Sequence, residues 1–299
     1  MPETAITIVA AQEGDLTAAR EKEIMNIVMG ESVERAQVNS LHTGKVLEIT
    51  IGALNIKLTE RLRFKFQNFS NFDVFIQPND SFRKKRLLVA DMDATMIEGE
   101  TLDELAGHFN LKDKIAPITA AAMRGELDFH EALRMRIKLL EGVPAAAVYE
   151  MVPQVRYSKG ARTLVQTMNR NGAKCVLISG GFDMFTSHVA SGLGFYKNIG
   201  NRLGIQDGRL TGEVIPPIVD KLTKKKTVED ESRLLGFDPQ AAVAVGDGAN
   251  DIPMLETAGA GVGYYGKPAV QAATPYQIRY TDLTSILYMQ GYRREEFAA

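Results

Sequence analysis

The chain has 299 residues, of which 45% are hydrophobic and 24% charged, with a formal net charge of -2 and one cysteine. Such a composition can close a sizeable core and leaves room for two domains, while the near-neutral charge argues against nucleic acid or an anionic membrane surface as a partner. There is no run of about 18 apolar residues, and Glu3 interrupts any leader-like pattern at the start, so a globular cytoplasmic protein with no membrane partner is expected.

In chain order, the first eighty residues predict strands over 6–10, 33–41, 45–51 and 72–76 and helices over 16–29 and 56–69. That order is βαββαβ, a ferredoxin-like α+β unit, with His42-Thr43-Gly44 as the turn between its middle strands. The polar stretch Pro78-Asn79-Asp80-Ser81 reads as a boundary, and the basic run Arg83-Lys84-Lys85-Arg86 as a solvated linker. Two domains are expected on this basis, 1–82 and 83–299.

From Leu87 onward strands alternate with helices, which predicts an α/β domain with a mostly parallel, Rossmann-like sheet. The first strand, Leu87-Leu88-Val89-Ala90, runs into Asp91-Met92-Asp93-Ala94-Thr95. A loop at the carboxyl end of a parallel strand is where open α/β sheets bind ligands. Two carboxylates there can divide the labour, one as nucleophile and metal ligand, the other as general acid and base. No strand is expected between Thr101 and about Pro153. Helical spacing, such as Phe129, Leu133, Ile137 and Leu140, instead predicts an inserted helical cap over about 100–155, above the strand ends.

A second apolar strand ends in Ser179-Gly180-Gly181, whose hydroxyl and backbone amides suit an anion. Asp207-Gly208 predicts a small hairpin. The lysine run Lys221, Lys224, Lys225 and Lys226 follows it, and a third buried strand, Val243-Ala244-Val245, ends in Gly246-Asp247-Gly248-Ala249-Asn250-Asp251. Acids on two strand ends, a Ser-Gly-Gly on another and lysines between them are the parts needed for metal-assisted phosphoryl transfer. Cys175, inside an apolar strand pattern, reads as a small core residue. His42, His108, His130 and His188 lack metal-ligand spacing and read as structural or surface residues.

These motifs resemble the haloacid dehalogenase-like (HAD) superfamily, and within it the phosphoserine phosphatases, over roughly 87–288. Asp91 to Thr95 is similar to the family's DxDST loop, with Ala94 where Ser is usual. Ser179 to Asp183 matches the second motif, Lys224 the phosphate lysine, and Gly246 to Asp251 the acidic motif. The resemblance implies a Mg²⁺-dependent phosphatase that hydrolyses phosphoserine, the last step of phosphorylated serine biosynthesis, through an aspartyl-phosphate.

It also implies the roles. Asp91 is the nucleophile and Asp93 the general acid and base, with Asp91, Asp93 and Asp247 holding the metal. Ser179, Gly180, Lys224 and Asn250 face the phosphate side of the substrate. Glu100 takes the ammonium and Arg136 the carboxylate, with Arg134 as Arg136's nearest competitor. Met123 and Phe129 form an apolar wall, and Asp251 sits beside the metal or orients the lysine. The first domain resembles the ACT ligand-binding fold, and the sequence is compatible with a homodimer. The alternatives are another HAD small-molecule phosphatase or phosphotransferase, and an amino-acid-sensing regulatory protein.

Overall fold

The computed structural model describes residues 2–31, 35–67, 69–123 and 126–298, excluding the side chain of Met123. The predicted start of the second strand at Val33, the Met123 side chain, Arg124 and Gly125 lie outside the described residues.

The first unit runs β1 (Glu3–Ala10), α1 (Ala18–Met29), β2 (Ala36–His42), β3 (Val46–Ile51), α2 (Ile56–Phe66) and β4 (Phe72–Asn79). Its antiparallel sheet has the order β2-β3-β1-β4. Thr17 caps α1 by accepting the Arg20 amide at 3.3 Å, and Asn55 caps α2 by accepting the Leu58 amide at 3.0 Å, so each helix begins where a polar side chain meets an otherwise unpaired amide. Alternation along β1 sends Ile6 and Ile8 into a core with Ile24, Val28 and Leu62 under the helices. The opposite face sends Val9, Val46 and Phe75 into the core of the rest of the chain.

The second sheet begins at β5 (Leu87–Ala90). Four cap helices follow: α3 (Thr101–His108), α4 (Lys112–Met123), α5 (Phe129–Lys138) and α6 (Ala145–Met151). Then come α7 (Ala161–Arg170), β6 (Lys174–Phe182), α8 (Asp183–Leu193), β7 (Lys197–Gln206), β8 (Arg209–Ile215), α9 (Lys221–Leu234) and β9 (Ala242–Gly246). The chain finishes with α10 (Ile252–Thr257), β10 (Ala260–Tyr264), α11 (Pro268–Ala273), β11 (Tyr276–Ile278) and α12 (Ser285–Met289). The sheet order is β11-β10-β9-β5-β6-β7-β8, parallel except for the β7–β8 hairpin, whose turn takes Asp207 and Gly208 to positive φ. Strand β5 is buried on both faces: Leu88 and Ala90 enter one core layer, Leu87 and Val89 the other. The chain leaves β5 toward β6 on one side and returns through β9 on the other, so the end of β5 is the switch point where such sheets open a crevice.

Two expectations about the domain boundary need correcting. Strand β4 runs through Pro78 to Asn79, because it pairs with β1 along its whole length, so the boundary turn starts later than expected. The basic run is also more than a solvated linker. Arg83 is buried against the Glu48 carboxylate and donates to the Met289 carbonyl, and buried Lys85 donates to the Gln240 carbonyl. Their partners lie far away in sequence, which is why the run reads locally as solvated charge. Asp73 of β4 ties the same seam from the other side, accepting the amides of Arg279, Tyr280 and Thr281.

Candidate active site

Four strand ends meet in one cavity of about 260 Å³, lined on the sheet side by Asp91, Asp93, Ser179, Gly180, Asp247, Asn250 and Lys267, and on the cap side by Glu100, Phe129 and Arg136. Of the residues singled out in the sequence, Lys224 and Asp251 lie just beneath this cavity, fully buried.

The loop after β5 carries two of the acids. Asp91 keeps the strand's course, its amide donating to the Val245 carbonyl of β9 at 3.0 Å. The backbone then tightens into a wide turn closed by the Ile97 amide on the Met92 carbonyl, with Ala94 at φ 51°. That left-handed conformation costs an alanine roughly 1–2 kcal/mol, and such strain gathers at functional loops. The Asp93 carboxylate is held at both oxygens: the Thr101 amide, in the first turn of α3, donates to Oδ1 at 2.8 Å, and the Ser179 hydroxyl donates to Oδ2 at 2.9 Å. Asp93 is therefore fixed jointly by the cap and by β6. The Gly181 amide donates to Ser179 Oγ at 2.8 Å, and a Cβ at residue 181 would stand 2.8 Å from Asp93 Oδ2, so glycine alone lets β6 approach this closely.

Beneath the cavity, Lys224 Nζ donates to Asp91 Oδ1 at 2.5 Å and to Asp251 Oδ1 at 2.6 Å. Asp220 caps α9 by accepting the Thr223 amide at 2.8 Å and sets the helix that aims Lys224 inward. The other Asp251 oxygen accepts the amides of Asp247 and Gly248 at 3.1 and 3.0 Å, so this residue shapes the acidic loop and orients the lysine together. Its carboxylate presses against Gly246, where a Cβ would overlap it. Burial works to discharge Lys224, but the carboxylates of Asp251 and Asp91 outweigh it and raise its pKa. Burial, reinforced by Asp251, pushes the Asp91 carboxyl well above its ordinary range, and burial raises Asp247 against the opposing pull of Lys267.

The carboxylate oxygens of Asp91, Asp247 and Asp251 lie within 4.8 Å of one another. Three buried acids beside Asp93, paired among the described residues with Lys224 and Lys267, form a hard-oxygen site with excess negative charge, which fits a divalent cation.

The cap contributes the opposite wall. An Asp128–Glu131 capping box starts α5, with the Glu131 amide donating to Asp128 at 2.9 Å, and places Phe129 at the helix start, over Gly180. Arg136, two turns on, lines the cavity, whereas Arg134 lies outside it in neighbouring surface grooves. Burial and the charge of Asp93 push the Glu100 carboxyl up to about 7.

Sequence reasoning missed two residues. Lys267, at the start of α11, reaches Asp247 Oδ2 at 3.0 Å and Glu100 Oε1 at 3.6 Å. Its signal was a charged residue just before Pro268, beyond the carboxyl end of a further strand, β10. Asn201, fully buried, donates to the Gly180 carbonyl at 2.7 Å and accepts the Val219 amide at 2.8 Å, bracing the glycine loop. Nothing local distinguishes that asparagine. Cys175 is buried in β6 with its thiol pushed up to about 12 by burial, which leaves it no nucleophilic part.

Among the described residues no helix is long and apolar enough to cross a membrane. The chain is 38% identical over 250 residues to the phosphoserine phosphatase SerB2 of Mycobacterium tuberculosis, covering 83% of this chain and 60% of that protein, so it spans about three-fifths of that relative's length. It is 41% identical over 203 residues to the phosphoserine phosphatase of Lactococcus lactis, covering 68% of this chain and 94% of that one. A solved HAD family hydrolase from Salmonella enterica serovar Typhi superposes with a TM-score of 0.84 at 29% identity, covering 96% of this chain and 98% of its own. Residues 88–256, which hold Asp91, Ser179, Lys224 and Asp247, match the family model of the haloacid dehalogenase-like hydrolases, and the chain belongs to that family.

Proposed function

We propose that the chain is a Mg²⁺-dependent phosphoserine phosphatase working through a phosphorylated Asp91, with residues 1–82 forming a separate ACT-like domain ahead of a catalytic domain over 83–299. The observation that carries the substrate assignment is that Glu100 and Arg136 share one small cavity with Asp91 and Asp93. A phosphate bound at the acids would leave a carboxylate for the substrate ammonium and a guanidinium for the substrate carboxylate, the pair a zwitterionic amino acid needs.

In this reading Asp91 attacks phosphorus while Asp93 delivers a proton to the departing serine oxygen. Asp93 then takes a proton from the water that hydrolyses the aspartyl-phosphate. Ser179, the Gly180 amide and Lys224 bear the charge of the transferring group, the chief source of rate in phosphoryl transfer. Asn250 lies on the same side, Phe129 forms the apolar wall, and Asp251 keeps Lys224 aimed. The carboxylates of Asp91 and Asp247 and the carbonyl of Asp93 would hold Mg²⁺, whose charge, when bound, offsets the repulsion between a carboxylate nucleophile and a phosphate dianion.

The test is selectivity. Glu100→Gln and Arg136→Ala should each lower kcat/KM for phosphoserine by roughly 10²-fold or more, as expected for loss of a charge-assisted contact, and affect a simple alkyl phosphate far less. Equal losses on both substrates would assign the two residues to cap closure. Unchanged phosphoserine turnover would favour another small-molecule phosphatase.

A further inference from the structure

Lys267 is a charged side chain in the cavity to which the mechanism above gives no task. Its backbone amide donates to the Asp247 carbonyl at 2.9 Å, so the residue is anchored to the acidic loop of the core. Its Nζ lies 3.0 Å from Asp247 Oδ2 and 3.6 Å from Glu100 Oε1, bridging the core to a residue at the entrance of the cap. The 3.6 Å separation is an ion pair too long for a hydrogen bond, which leaves the Glu100 oxygens able to accept hydrogen bonds from a ligand.

We propose that Lys267 is a positioning residue for substrate selection: it holds the Glu100 carboxylate at the cap–core seam, directed to the substrate ammonium. This rests on the reading of Glu100 given above. The Glu100 side chain, 47% exposed, lines the same cavity as Asp93 and Asp247, and Lys267 supplies the opposite charge that supports it there. An ammonium fixed to the core on Asp247, its nearer partner, supplies that support and stays in place when the substrate's own ammonium arrives. Arg136 shares the cavity but is assigned to the substrate carboxylate, so it does not duplicate the role.

The experiment is a double-mutant cycle on the full chain with Mg²⁺, reading the ratio of kcat/KM for phosphoserine to that for a simple alkyl phosphate. Lys267→Met should lower the ratio roughly three- to tenfold, the scale of a half-exposed ion pair with a charged ligand, with the change mainly in the phosphoserine KM. Lys267→Arg should restore most of it. In a Glu100→Gln background, Lys267→Met should leave the ratio where Glu100→Gln alone put it. A drop of the same size in both backgrounds, or parallel losses on the two substrates, would overturn the proposal and assign Lys267 to the Asp247 loop alone. If Glu100→Gln by itself left the ratio unchanged, the ammonium reading would fail first, and the proposal with it.

Discussion

The ammonium of Lys224 lies 2.5 Å from Asp91 Oδ1 with both side chains buried, and 2.6 Å from Asp251. The lysine thus offsets the charge of the proposed nucleophile, beside the place that the proposed mechanism gives the phosphoryl group. Removing it leaves two buried carboxylates facing each other. Lys224→Met is expected to lower stability by about 3–5 kcal/mol, measured by urea denaturation in metal-free buffer, and to reduce turnover by roughly 10²-fold or more. Unchanged stability would mean that the pair is not buried in solution.

Asp93 is clamped by the Thr101 amide and the Ser179 hydroxyl, which fixes the carboxyl that the proposed mechanism uses for proton transfer. Asp93→Asn keeps the shape and removes the acid. Its rate loss should be much larger for phosphoserine, whose alkoxide leaves poorly, than for an aryl phosphate, which needs little protonation. Equal losses on the two substrates would take the acid role away from Asp93.

The excess negative charge at Asp91, Asp247 and Asp251 predicts that EDTA abolishes turnover and that Mg²⁺ restores it. Ca²⁺ should bind and support little reaction, because its looser shell of about 6–8 oxygens invites a bidentate grip on Asp91 and spoils the line of attack. Full activity after exhaustive chelation would contradict the metal assignment.

Away from the site, Arg83 pairs with Glu48 across the seam between the two sheets. Arg83→Met leaves Glu48 buried and unpaired, with an expected loss of about 3–5 kcal/mol in denaturant unfolding. Adding Glu48→Gln should recover a large part of that loss. If the double variant were as unstable as the single one, the hydrogen bond from Arg83 to Met289 would be the greater contribution.

The strands that deliver chemistry were legible because each is a short run buried on both faces and ending in polar residues, as in Leu87 to Asp91 and Ala242 to Asp247. The first half of β7 was not. Lys197 to Ile199 is mostly polar and takes its strand form from pairing with β6, which a local pattern does not record. Arg83 and Lys85 looked solvated for the same reason, since their partners Glu48 and Gln240 come from other elements. At the site, residues inside strand-end motifs were visible, whereas Lys267 and Asn201 gain their significance only from the approach of Glu100 and Gly180 in space.

The central claim is that the phosphoryl group passes through Asp91. Protein mixed with phosphoserine and Mg²⁺, quenched in acid within a turnover and mapped by peptide mass spectrometry should carry one acid-stable, base-labile phosphoryl group on Asp91, and Asp91→Asn should carry none while remaining folded. Label on Ser179 or on Cys175, or full turnover by the folded Asp91→Asn protein, would contradict the account.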